Sequence, residues 1–422
     1  MRFPWRAPQS LALSCVLALA LSGCSGGAPQ PDPAPSPAPG SSSPAPSGSA
    51  SAPTSPTASQ SPTASPTPTV SPQDPEAQRA SELVRDLEVQ QQAGLLVMAG
   101  VPATGATQQE LDQLADAGIA SVFLRGRSQL SLQQTAGQVK QIRKAVAPNV
   151  PGQLEPWIAT DQEGGSVRVL QGSGFTNLPS AQTQGGWSAK RLAQSTGQLG
   201  RQLIEAGVNV NLAPVADTVP KSLGAGNAPI GQWQRNFGYD PDTVWDAVGE
   251  VNQALDDAGV QPVIKHFPGL GRVKGNTDTT ERVVDTVTDA QDPYLQPFVR
   301  GIEQDLAWVM ISNASYSKLD AKNSAPFSRA IIDELLRDQL GYEGLVISDD
   351  LCDAAAVSET ALGQRAVKFI AAGGTVALCV QADEAVQMVQ AIAARAAKDG
   401  AFADTVRQAA TLVVTEHLRA QE

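Results

Sequence analysis

A net charge of −12 over 422 residues argues against nucleic acid as a partner, because a polyphosphate would be repelled. Four cysteines and two histidines, with no CxxC and no HExxH spacing, offer no metal-ligand cluster and point to no cofactor. Past the N-terminal region, no apolar stretch is long enough to cross a bilayer.

The N-terminus carries its own pattern. Arg2 and Arg6 precede an apolar run over residues 11–21, too short to span a membrane as a settled helix. Residues 1–23 therefore read as a secretory signal peptide. The run ends Leu21-Ser22-Gly23-Cys24, which resembles a bacterial lipobox. Cys24 sits where cleavage should fall and no A-x-A site competes, which favours an acylated Cys24 over an incidental cysteine. Residues 24–75 are almost entirely Ser, Pro, Ala, Thr and Gly, a composition that cannot bury enough apolar surface to order itself. They read as an extended tether. The expected arrangement is a lipid anchor on Cys24 in the cell membrane, with a globular body at residues 76–422 on the extracytoplasmic face.

From residue 76 the texture becomes periodic. A helical pattern over 75–92 leads into an apolar run over 95–100. Further strand candidates are 121–124, 157–161, 208–212, 262–266, 307–312, 344–348 and 375–380. Helical patterns lie between and after them, over 108–117, 132–145, 188–206, 241–258, 295–304, 328–340, 361–372 and 382–397. A terminal helix follows over 403–418. The strands are continuous apolar runs, as expected when both faces are buried. Gly118, Gly207 and Gly259 sit where helices should end and turn into the next strand. Eight such βα units predict an α/β fold, a single TIM (β/α)8 barrel. An open doubly wound sheet is disfavoured because the first βα turn lacks a glycine-rich phosphate fingerprint.

A barrel places functional residues at the C-terminal ends of its strands. The third strand ends in Asp161, the fifth in Lys265-His266, the sixth in Ser312-Asn313 and the seventh in Asp349-Asp350. Arg235 lies beyond the fourth strand. Residues 265–280 run from a strand end through Pro268, Gly269, Gly271 and Gly275 to Asn276-Thr277-Asp278, a loop pattern that delivers a carboxylate. Carboxylates with hydrogen-bonding cations, and neither a metal set nor a serine triad, fit a sugar site. Asp349 is the candidate nucleophile, fixed by a packed strand. Its alternative is a helix cap; Asp350 reads as structural. Asp161, Arg235, Lys265 and His266 are candidate sugar-binding residues. Cys352 and Cys379 follow or end adjacent strands, so a disulfide near the mouth is left open, their separation being unreadable from sequence.

Asp161-Gln162-Glu163-Gly164-Gly165, the run from Asn211 through Pro214 to Asp217, Arg235-Asn236-Phe237, Lys265-His266-Phe267-Pro268-Gly269 and Ser348-Asp349-Asp350-Leu351 together resemble glycoside hydrolase family 3. The likeness is to its single-domain bacterial β-N-acetylhexosaminidase branch, of the actinobacterial lipoprotein type. The resemblance implies a retaining mechanism with a covalent glycosyl-enzyme intermediate on Asp349. It implies sugar contacts at Asp161, Arg235, Lys265 and His266. The implied partners are β-N-acetylglucosaminyl saccharides or muropeptides, met in cell-wall turnover.

Two positions depart from the family pattern. The family's catalytic histidine position holds Asp278, and its partner aspartate is Asn276. Arg168 directly follows Val167, one residue short of the family's arginine, so that binding role is not carried over. Asp278 can serve as acid/base if burial beside Asp349 raises its pKa, which predicts a more acidic optimum than a histidine would give. A second anionic group also disfavours phosphate as acceptor, so hydrolysis is expected over phosphorolysis. The alternatives are a non-catalytic muropeptide-binding lipoprotein and a family 3 β-glucosidase.

Overall fold

The computed structural model describes residues 74–421; Cys24 and the expected signal and tether lie outside them. Eight parallel strands form one sheet. They are β1 (Val97–Pro102), β2 (Ser121–Arg125), β3 (Trp157–Thr160), β4 (Val210–Asn211), β5 (Gln261–Phe267), β6 (Trp308–Ile311), β7 (Val346–Ser348) and β8 (Ala377–Cys379). Their order in space is β7-β6-β5-β4-β3-β2-β1-β8. A helix follows each strand, and the expected (β/α)8 barrel is the fold.

The two sheet edges meet through one parallel bridge, Ile347 to Val376. That seam is reinforced by side chains. Thr375 Oγ1 accepts from Val346 N–H at 3.1 Å, and Ser348 Oγ from Leu378 N–H at 2.9 Å. Below them the buried Arg337 donates to the carbonyls of Gly344 (3.2 Å) and Gly373 (3.1 Å). Above them a disulfide joins Cys352 to Cys379, with Cα atoms 5.1 Å apart, which answers the pairing left open by the sequence.

Two elements differ from expectation. The helical pattern over 75–92 divides into Pro75–Arg85 and Val89–Leu95. Glu88 opens the second helix: its N–H donates to Gln91 Oε1 at 2.9 Å in a capping box, which starts a new helix instead of extending the old one. The first strand accordingly begins at Val97. The helix after β6 is a π-helix, Ala330–Gln339, with Leu340 N–H reaching Leu335 O at 3.0 Å. Apolar periodicity over ten residues does not separate that winding from an α-helix.

The floor of the barrel is closed by the terminal helix Gly400–Arg419. Trp157 and Trp308, the first residues of β3 and β6, meet edge to face at 5.1 Å. His417 stacks on Trp157 at 4.5 Å, and Glu416 accepts from Trp308 Nε1 at 3.4 Å. Arg419 pairs with Asp74 at 2.6 Å, so both ends of the described chain lie at this floor. Burial drives the His417 imidazole down to about 3, against a smaller raising effect from the Glu155 backbone. The folded state therefore refuses a proton that the unfolded chain accepts below about 6.5. Stability is expected to fall as pH drops from about 6.5 toward 3, by about 2 kcal/mol at about pH 5. Urea unfolding of His417→Gln should show a flatter pH dependence over that window; an unchanged slope would refute this.

Candidate active site

The mouth is built from strand ends. After β3 the chain forms a short hairpin, Gln162–Gly164 against Val167–Arg168. Gly164 has φ +113°, and a Cβ there would lie 2.4 Å from Pro179 O, so only glycine fits the turn. Gln162 is locked in place, its amide paired with both backbone groups of Leu170 at 2.7 and 3.0 Å. Asp161 and Glu163, on either side of it, reach the site together.

Four charged groups meet at the base of the mouth. Lys265 Nζ lies 2.7 Å from Asp161 Oδ1 and 2.7 Å from Glu163 Oε1. Arg235 grips Glu163 with two parallel bonds of 3.0 and 2.8 Å and donates to Pro229 O at 2.9 Å. Burial alone would raise the Glu163 carboxyl. Arg235 and then Lys265 outweigh it and hold Glu163 at about 2. Burial likewise disfavours the charged Lys265, but Asp161 and Glu163 raise it above its ordinary value. The base of the mouth is thus a fixed ionic lattice, with the Asp161 side chain 25% exposed and turned to the cavity.

The neighbouring residue joins them despite strand alternation. Adjacent residues of a regular strand face opposite ways, yet Lys265 and His266 both line the mouth. The register of β5 against β6 shifts between Lys265 and Phe267, which makes this feasible. His266 Nδ1 lies 2.7 Å from Asp217 Oδ2, and Asp217 Oδ1 accepts from Leu270 N–H at 2.6 Å. Asp217 is fully buried; it orients the ring and anchors the start of the following loop.

Two carboxylates stand above this base. Asp349 leaves β7 with its N–H on Ile311 O at 2.9 Å. Asp278 comes from the loop after β5, its N–H held by Asn276 Oδ1 at 3.0 Å. The Asp278 residue is open to solvent inside the concavity, but protein surrounds enough of its carboxyl to hinder hydration. That desolvation, and then the Asp349 charge, raises it above the ordinary carboxylate range, against Arg235 and His266. Asp350 is pushed up to about 6, mainly by burial. Its oxygens accept the N–H groups of Cys352, Asp353 and Val380 at 3.0, 2.8 and 3.0 Å, a structural arrangement.

All six expected site residues, Asp161, Arg235, Lys265, His266, Asp278 and Asp349, line one cavity of ≈ 340 Å³. Sequence reasoning assigned no role to Glu163 or Asp217. Both were visible as carboxylates within the quoted strand-end runs, but only folding shows which cation each one holds. Arg235, a candidate sugar-binding residue, is half-buried against Glu163. A larger groove of ≈ 650 Å³ lies between helices Ala189–Glu205 and Pro241–Asp256. Among the described residues no lysine or arginine lines it, and it lies off the strand ends, so the mouth is the chemically equipped site.

The family model described as the glycosyl hydrolase family 3 N terminal domain matches residues 87–415. The chain belongs to glycosyl hydrolase family 3. The chain is 33% identical over 308 residues to a "Beta-hexosaminidase" of Xanthomonas oryzae pv. oryzae, a match covering 71% of this chain and 88% of that one. Its fold is similar to the crystal structure of a β-N-acetylhexosaminidase from Beutenbergia cavernae, with 42% identity and a TM-score of 0.76. The likeness covers 79% of this chain and 99% of the other. It is also similar to LpqI of M tuberculosis, at 26% identity and a TM-score of 0.66 over 79% of this chain and 95% of that one.

Proposed function

We propose that this family 3 glycosidase is a retaining β-N-acetylhexosaminidase that releases terminal β-linked N-acetylglucosamine from peptidoglycan fragments. The observation that carries the chemistry is the pairing of Asp349 with Asp278 in one mouth above the Asp161–Lys265–Glu163–Arg235 lattice. The named relatives support the sugar.

In the first step an Asp349 oxygen attacks C1 of the sugar. The C1–O bond breaks, and protonated Asp278 gives its proton to the departing oxygen. The product is a glycosyl ester on Asp349. In the second step Asp278, now ionised, takes a proton from water as that water attacks C1. The ester bond breaks, the sugar leaves with its configuration retained, and both carboxyls return to their starting states. Asp161 offers acceptors to sugar hydroxyls, while Lys265, His266 and Arg235 hold the base of the mouth. A panel of aryl β-glycosides tests the assignment. Cleavage of the N-acetylglucosaminide with little or none of the glucoside is expected. Equal cleavage of both would favour a β-glucosidase, and no cleavage a binding protein.

The cell-wall setting rests on residues 1–75, through the Leu21-Ser22-Gly23-Cys24 run. The reading is a lipid anchor on Cys24 at the extracytoplasmic face of the cell membrane. Fatty-acid labelling should be lost in Cys24→Ser; labelling that persists would remove this part of the proposal.

A further inference from the structure

The segment after Asp349 links the two residues whose carboxylates carry the proposed mechanism. It leaves β7 at Asp349. Further on, Ala355 N–H donates to Asp278 O at 3.2 Å and Ala356 N–H to Thr277 O at 3.0 Å. Residues 349–356 therefore run from one reacting carboxyl to the loop that carries the other.

Three restraints converge on this segment. The disulfide ties Cys352 to the end of β8. Asp350 gathers the N–H groups of Cys352, Asp353 and Val380. Arg365, buried in the helix Leu362–Ala371, donates to Leu351 O, Cys352 O and Thr360 O, each at 2.7 Å. Among the described residues Arg365 makes no ion pair within the salt-bridge distance. Its close hydrogen bonds go to the backbone carbonyls of Leu351 and Cys352 within the segment and of Thr360 just beyond it. A planar guanidinium fixes several carbonyls in one geometry, which an ammonium group reproduces only in part.

We propose that Arg365 and the Cys352–Cys379 disulfide are positioning residues that set where Asp349 stands relative to Asp278. The inference rests on the reading of those two carboxyls as nucleophile and acid/base. The restraints lie just beyond the backbone bonds that close β7 on β8, Ser348 N–H to Val376 O and Leu351 N–H to Leu378 O, so they govern the segment where the barrel wall stops holding it. Releasing it shifts the loop of Asp278 relative to Asp349, while Asp161, Lys265 and Glu163 stay fixed from β3 and β5.

The test uses the double variant Cys352→Ser/Cys379→Ser together with Arg365→Gln and Arg365→Lys. Each is assayed on a nitrophenyl and an alkyl β-N-acetylglucosaminide, with its folded fraction measured by thermal unfolding. A displacement of about 1 Å can cost about 100-fold in rate. The double variant and Arg365→Gln should lose about ten-fold in kcat on the nitrophenyl substrate and about 100-fold on the alkyl one, with KM moved less than about three-fold. Arg365→Lys should recover part of the loss. Should the double variant not fold, the arginine pair decides alone. Losses that merely track the unfolded fraction, or kcat within about two-fold of wild type on both substrates, overturn the proposal. Wild-type turnover by Asp349→Ala would instead overturn the mechanism beneath it.

Discussion

Asp349→Ala is expected to lower kcat for an aryl β-N-acetylglucosaminide by about 10⁴-fold, while KM changes little. The reason is positional. Asp349 is fixed by β7, by its backbone bond to Ile311 and by the Asp350 N–H on its own Oδ1 at 2.8 Å, so no other carboxyl can take its line of attack. Asp350 cannot substitute, because its oxygens already serve three backbone donors. The variant should also be rescued by azide. That anion enters the vacated space, forms a bond to C1 as the aryloxide leaves, and yields a glycosyl azide of α configuration. A β-configured azide would exclude nucleophilic attack from the Asp349 side.

The second large effect falls on Asp278. Asp278→Asn should reduce kcat on an alkyl glycoside by about 10²–10⁴-fold and act far less on a nitrophenyl one, whose leaving oxygen needs little protonation. The pH dependence has a defined sign. Desolvation and then Asp349 raise the Asp278 carboxyl, so the acid form persists to higher pH than in an ordinary aspartate. Turnover of alkyl substrates declines as pH rises through that raised value. Asp278→His should move this alkaline limb upward, since an unperturbed imidazole titrates at about 6.5. An alkaline limb unchanged in both variants would show that another group supplies the proton.

The barrel was legible because its parallel strands are buried on both faces and therefore appear as uninterrupted apolar runs. The polar residues at their ends marked the mouth for the same reason: a charge directly after such a run must face a cavity or a partner. Lys265-His266 and Asp349 are examples. What the chain order hides is who pairs with whom. Glu163 holds Arg235 across 72 positions, and Asp217 holds His266 across 49. Both links exist only once β3, β4 and β5 pair side by side. The docking of Thr277 and Asp278 onto Ala355 and Ala356 is of the same kind. So is the disulfide, whose cysteines sit at ends of strands that become neighbours only when the sheet closes on itself. The winding of residues 330–339 was hidden for a different reason, since one apolar stripe suits either helix type.

The floor of the barrel also fixes a direction. Asp74 is paired with Arg419, two residues from the ring of His417 beneath β3, whereas every reacting group stands at the opposite strand ends. Anything that holds the chain upstream of Asp74 thus grips it at the end remote from catalysis.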